Sequence, residues 1–307
     1  MKVKCLSFLL LAGCIFVTTS KAQQSEPALA RVIYDFTHIN DTLQPDKPHK
    51  EEMVLYIGQR TSLYGTYASE RVNQQVKAQM EDPAFDGNLT ITGSGRTTQE
   101  SYYSNVAEQQ FKLLSRVAGE QYVVDEDYPA IDWQIAEDTR EIGGYMAQKA
   151  TGHFKGRDYT AWFTTDVPFH AGPWKLQGLP GLVLEATDSR SEVAFGYAGF
   201  ETLEDGAAMV AIAENAIPTD KKALDKLTEA YRKNPQAAMN ARARTESGGT
   251  NVVGYSGTPR ATVSVGTGGG AGGAAALDAS RIKSINVKRD DSQTSSVTNN
   301  PLELTEK

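Results

Sequence analysis

Thiol chemistry is nearly absent from this chain. Of its 307 residues two are cysteines, Cys5 and Cys14, and both lie in the leading segment. Once residues 1–22 are removed, disulfides, thiolate nucleophiles and Cys-ligated metals are excluded, even in an oxidising compartment. Histidine is scarce as well. The four are His38, His49, His153 and His170, and none forms an i, i+4 pair or another short metal-ligand spacing. There is no Gly-x-Ser-x-Gly elbow, which weakens a serine-hydrolase interpretation. Beyond the leader no run is apolar enough to span a bilayer. The net charge is −7, with both signs interspersed, so the basic patch that nucleic-acid binding needs is missing.

The leader is informative. Met1-Lys2-Val3-Lys4 is basic, an apolar run follows from Cys5 to Val17, and Ser20 and Ala22 place small residues at the −3 and −1 positions. This is the pattern of a secretory signal peptide cut before Gln23. Leu11-Ala12-Gly13-Cys14 also matches a lipobox, which would leave a lipidated Cys14; against it, Ile15, Phe16 and Val17 keep the chain apolar past the cysteine. The expected location is the periplasm or the outer membrane, with no transmembrane span in the mature chain.

Residues 23–240 are expected to form a β domain with a helix at its C-terminal end. Residues 31–38 alternate, with Val32, Tyr34 and Phe36 on one face, and 53–57 and 62–67 read as further strands of a meander. Val72, Val76 and Met80 recur every four residues among polar ones, which predicts a surface helix over 68–80, stopped by Asp82-Pro83. Residues 84–100 read as loop. Ala118-Gly119-Glu120 and Lys155-Gly156-Arg157 read as hairpin turns, and Gly143-Gly144 as a bulge or sharp bend. Ile131, Trp133 and Ile135 predict a strand, and residues 192–197 one paired with 182–186. Leu224, Leu227 and Tyr231 predict a second helix over 220–232. Residues 241–307 form a Gly/Ser/Thr-rich low-complexity tail, glycine-densest at 266–273, with too little apolar material to offset ordering entropy through 298.

The chain is organised around Gly172-Pro173-Trp174-Lys175-Leu176-Gln177-Gly178-Leu179-Pro180-Gly181-Leu182-Val183-Leu184-Glu185. Leu179-Pro180-Gly181-Leu182 fits a type II turn, with Gly181 at φ > 0, feeding a buried strand. Packing is expected for Leu179 and Leu182, and partial exposure for Trp174 and Lys175. The stretch resembles the signature of the GLPGLI family of exported Bacteroidetes-type proteins, with Val183 where the name has Ile. Gly143-Gly144-Tyr145, Gln148-Lys149-Ala150-Thr151, Phe154-Lys155-Gly156-Arg157-Asp158-Tyr159 and Ala161-Trp162-Phe163-Thr164 are similar to that family's approach to the motif. Asn300-Pro301-Leu302-Glu303-Leu304 is similar to its ending. The resemblance implies an envelope protein without an established activity. It departs at Ala147, where many relatives carry cysteine.

The fold expected is therefore mostly β: a single strongly curved antiparallel sheet, a meander or half-barrel, with one or two packed helices and a disordered Gly-rich C-terminal segment. The expected function is non-enzymatic binding of a peptide, a lipid or a partner envelope protein. Trp162, Trp174, Lys175, Gly178, Leu179, Pro180 and Gly181 are the candidate binding residues. The alternative is a hydrolase or metal-dependent enzyme using His153 and His170 with Asp158 or Asp166. No cofactor is implied.

Overall fold

The computed structural model describes residues 25–94, 97–236, 279–290, 294–295 and 297–306. Strands β1 (Ser25–Pro27), β2 (Ala30–His38), β3 (His49–Ile57) and β4 (Thr61–Thr66) precede helix α1 (Ala68–Glu81). Next come β5 (Asn88–Ser94), β6 (Glu100–Asn105), β7 (Gln110–Val117) and β8 (Glu120–Glu126). A third run comprises β9 (Gln134–Ile142), β10 (Tyr145–Phe154), β11 (Arg157–Thr164), β12 (Leu182–Asp188) and β13 (Val193–Thr202). Short strands β14 (Met209–Ala211) and β15 (Ile217–Pro218), helix α2 (Lys221–Lys233) and strand β16 (Ser284–Asp290) complete the order.

Twelve strands form one sheet in the order β15-β8-β7-β6-β4-β3-β2-β13-β12-β11-β10-β9. Two meanders thus run outward from a central pair, β2 and β13, whose register sets Phe195 opposite Phe36 and Val193 opposite His38. The sheet is mixed rather than wholly antiparallel, because β15 joins β8 in parallel, and it does not close into a barrel. Alternation on β2 is as the sequence predicts: Val32, Tyr34, Phe36 and His38 are buried, and the residues between them are not.

The expected glycine turns are present, and Gly143-Gly144 proves to be a two-residue hairpin turn joining Ile142 to Tyr145. In the β10–β11 turn Lys155 and Gly156 have φ of 50° and 71°. Two successive positive φ values match the twist of the flanking strands. The predicted helix is α1, whose Val76 and Met80 pack on Leu89 and Ile91 of β5. Helix α2 is capped by Asp220, whose side chain accepts from the Ala223 N–H at 2.8 Å, and buries Leu224.

Three expectations need correction. Residues 84–100 are not all loop, since β5 lies there. Its apolar alternation is only Leu89 and Ile91, flanked by glycine turn signals, and its backbone is satisfied from both sides. Gln75 and Gln79 each exchange a pair of amide hydrogen bonds with it, at Thr92 and Thr90, and β16 pairs with it in parallel. The low-complexity tail is correspondingly shorter than expected. Residues 237–278 lie outside the described residues, but 284–290 are strand and Asn300 is buried. Finally, Ile131 and Trp133 precede β9 rather than forming a strand with Ile135, which is exposed.

Candidate binding cleft

The signature is largely interior. Trp174 is 2% exposed and Lys175 6%, so the expected partial exposure of both is incorrect. Leu176, Leu179, Leu182, Val183 and Leu184 join them in the main core. Each such aliphatic side chain contributes about 1.5–3 kcal/mol of hydrophobic stabilisation. Pro173 accepts from Leu176 N–H at 3.0 Å, closing a tight turn. Within it Trp174 has φ +53°, a conformation rare for a bulky residue. Its ring is held by Phe154, with centroids 5.8 Å apart, and by Tyr159.

The glycines of the motif play roles other than the predicted one. Gly178, not Gly181, has the positive φ, +97°. Gly181 is buried, and a Cβ there would collide with the Thr164 carbonyl of β11. It is glycine for close approach, and the type II turn expectation fails for that reason. Gly178 and Pro180 are the exposed members. Trp133 donates its indole N–H to Gln177 O at 2.8 Å, so the segment between β8 and β9 is tied down on the motif. Trp162 lies apart, half-buried, with the Arg140 guanidinium 4.2 Å from its ring centroid.

The C-terminal residues form a strap over this region. At its base is Arg157, whose side chain has no exposed surface. All five of its N–H donors are used. Nη1 donates to Asp188 Oδ2 at 2.7 Å and to Glu192 Oε2 at 3.0 Å. Nη2 donates to Asn300 Oδ1 at 2.7 Å and Pro301 O at 2.8 Å, and Nε to Leu302 O at 3.0 Å. His38 Nε2–H donates to Asn300 O at 2.8 Å. Burial pushes the His38 pKa down to about 4, with Arg157 and His49 adding to the shift against the Asn300 and Asp188 contributions. This imidazole is therefore neutral at neutral pH. Further out the strap crosses the β10–β11 turn, where Leu304 Cβ would be 2.8 Å from a side chain at position 156, so only glycine fits beneath it.

Lys175 joins the motif to the strap. Its ammonium pairs with Glu126 of β8 and, at 2.6 Å, with Glu303, and stands 5.6 Å from the Tyr102 ring centroid. Burial alone would lower its pKa; the two carboxylates outweigh that and raise it. Around this group lies a cleft of about 880 Å³, lined among others by Tyr102, Tyr128, Phe154, Trp174, Lys175 and Leu302. A smaller one, about 700 Å³, is lined by Gln177, Gly178, Leu179 and His170 on the other side of residues 128–130.

The histidine site expected as the alternative is not assembled. His153 has both ring nitrogens engaged, Nδ1 with Asp158 at 2.6 Å and Nε2 with Glu306 at 3.1 Å. Asp158 and then Glu306 raise its pKa. Asp166 instead accepts from Met146 N–H at 2.8 Å. His170 is exposed in the smaller cleft. Among the described residues no group of three or more His, Cys, Asp or Glu is arranged to hold a metal ion.

Residue-level inspection of the sequence missed Arg157, Asp188 and Glu303 as a connected group. Their only sequence signal was that Lys155-Gly156-Arg157 and Asn300–Leu304 belong to the same resemblance.

The molecule is thus a mostly-β protein with a large mixed sheet, a buried signature loop and a strap-covered cleft. A family profile described as a protein of unknown function (Porph_ging) matches residues 154–185. The match runs from the end of β10 into β12 and takes in Arg157, Trp174 and Lys175. It fits a Bacteroidetes-type family of unknown function, under a name other than GLPGLI. No curated protein matches the chain. Two solved structures of PNGF-II, in C2 and P21 crystal forms, are similar to it at 13% and 14% identity, with TM-scores of 0.46 and 0.45. They cover 67% and 69% of this chain and 34% of their own, so this chain spans about a third of their length.

Proposed function

We propose that this protein is a non-enzymatic envelope protein that binds an extended peptide in the cleft beside Lys175. One observation carries this: a peptide segment of this chain, residues 300–304, already sits at the cleft's edge. Its main-chain carbonyls accept from Arg157 and His38, and its acidic side chain meets a buried lysine. Aromatic walls from Tyr102, Tyr128, Phe154 and Trp174 supply apolar contact next to these polar anchors, the usual composition of a ligand site.

The sheet is proposed to be strongly curved around this cleft. Support comes from the connection between β8, ending at Glu126, and β9, starting at Gln134. Residues 127–133 reach roughly 29 Å when extended. The ten steps from β8 to β9 across a flat sheet would need about 48 Å. Export to the periplasm or outer membrane is proposed from the basic, then apolar leader and its small residues Ser20 and Ala22. In the same scheme the folded domain is 23–240 joined by the C-terminal stretches 284–290 and 300–304, and lipidation of Cys14 is the alternative route. Intact mass of exported protein beginning at Gln23 supports cleavage; a lipidated Cys14 replaces it.

Hydrogen-exchange mass spectrometry on the full chain with a pool of synthetic extended peptides tests the binding role. Added protection is expected over 125–130. Protection elsewhere alone, or none, overturns it. Ester or peptide hydrolysis that is lost in His153→Ala would replace it with the enzyme alternative.

A further inference from the structure

We infer that the strap end of the cleft is a receptor for an acidic side chain on the bound peptide, and that Glu303 is the built-in occupant of that receptor. The inference rests on the peptide-binding role proposed above. Both oxygens of Glu303 face cations: Oε1 is 2.6 Å from Lys175 Nζ, and Oε2 is 3.9 Å from Lys155 Nζ. Glu126 neutralises one of those two lysines. With Glu303 withdrawn, the place keeps a net positive charge next to a buried ammonium, where screening by water is weak. Of the other carboxylates lining the cleft, Asp127 is in ion-pair contact with neither lysine, and two are engaged elsewhere. Asp125 pairs with Lys112, and Glu100 accepts from the Tyr102 hydroxyl and lies 3.9 Å from Lys221. Charge complementarity at this end therefore selects a carboxylate.

The strap is also unequal along its length. Residues 300–302 are clamped by Arg157 and His38, in the interior. Apart from the Glu303 contact with the buried Lys175 ammonium, residues 303–306 rest on exposed groups. The side chains of Glu303 and Glu306 are 39% and 63% exposed, and those of Lys155 and His153 are 46% and 54%. Exposed ion pairs of this type hold weakly. The outer half is the exchangeable part: an incoming acidic residue takes the place of Glu303 while the clamp stays shut. An apolar neighbour on the ligand would meet Tyr102, Phe154 and Trp174 along the cleft.

Isothermal titration of the full chain tests this, using acetyl-Asn-Pro-Leu-Glu-Leu-amide and the same peptide with Gln in place of Glu. Wild type, Glu303→Gln and, as a second variant, Glu303→Ala are compared, with thermal unfolding confirming each is folded. The acidic peptide is expected to bind both variants about tenfold more tightly than wild type, and about tenfold more tightly than the Gln peptide. Lys155→Ala in the Glu303→Gln background should reduce that preference. Equal affinity for the two peptides in both variants overturns the carboxylate receptor and leaves peptide binding standing. Binding of neither peptide to any form, with no exchange protection from the wider pool, overturns both.

Discussion

Arg157 and Asn300 are 143 positions apart and share a 2.7 Å hydrogen bond from which solvent is excluded. That contact converts the far C-terminal residues from a tail into part of the interior. Removing the guanidinium leaves Asp188, whose side chain is 1% exposed, without its main counter-charge. Arg157→Met is expected to cost about 3–5 kcal/mol, the range for breaking one side of a buried ion pair. Asn300→Ala should cost about 1–3 kcal/mol, for donors left unpaired. Urea denaturation of both variants provides the check; midpoints equal to wild type would show that the clamp does not bear on stability.

Trp174 tests the scaffold role of the signature. Because its ring is buried among Phe154 and Tyr159, Trp174→Ala is expected to lose about 3–5 kcal/mol. A loss within about 0.5 kcal/mol, the surface range, measured by the same denaturation, would mean the side chain is solvent-facing in solution.

Gly181 and Pro180 should separate. Gly181→Ala forces Thr164 aside and is expected to cost about 1–3 kcal/mol by overpacking. Pro180 is exposed, and Pro180→Ala should cost about 0.4–1 kcal/mol, through the unfolded chain. Thermal unfolding that ranks Pro180→Ala as the more damaging change would contradict the close-approach explanation.

Acid should loosen the clamp through His38. Its folded pKa, about 4, lies below the ordinary 6.5, so between those values the unfolded chain binds more protons. Stability therefore rises with pH across that window and is lost as pH falls from about 6.5 towards 4, by up to about 3 kcal/mol. His153 has the opposite sign: its raised pKa gives stability that is present at low pH and lost as pH rises through the folded value. His38→Gln should flatten the slope of stability between pH 4 and 6.5 relative to wild type. An unchanged slope would assign the acid sensitivity to other groups.

Local chemistry made much of the fold legible. The hairpin glycines and the stripe Val72, Val76 and Met80 each act within a few residues, and each lies where the pattern placed it. Strand β5 was hidden because its alternation is carried by Leu89 and Ile91 alone, between the turn signals Asp86-Gly87 and Gly93, and it depends on glutamine side chains from α1 and a strand nearly two hundred positions away. The clamp was illegible for a similar reason: an arginine after a glycine turn reads as surface, and its acceptors come from two distant stretches, 188–192 and 300–302. Gly181 shows a subtler limit. Pro-Gly signals a turn by its own dihedral preferences, whereas here the glycine answers to the carbonyl of a neighbouring strand.

The clamp also sets a timetable. Three of the five Arg157 donors find their acceptors at residues 300–302, which are synthesised at least 143 positions after the arginine. Until those residues arrive, the guanidinium is half-satisfied and the floor of the cleft is uncovered. Closure of the body is thereby coupled to synthesis of residues 300–302. Nascent chains stalled before residue 300 should be cleaved by protease at a rate that chains carrying residues 300–307 escape; equal cleavage would show that the body closes without them.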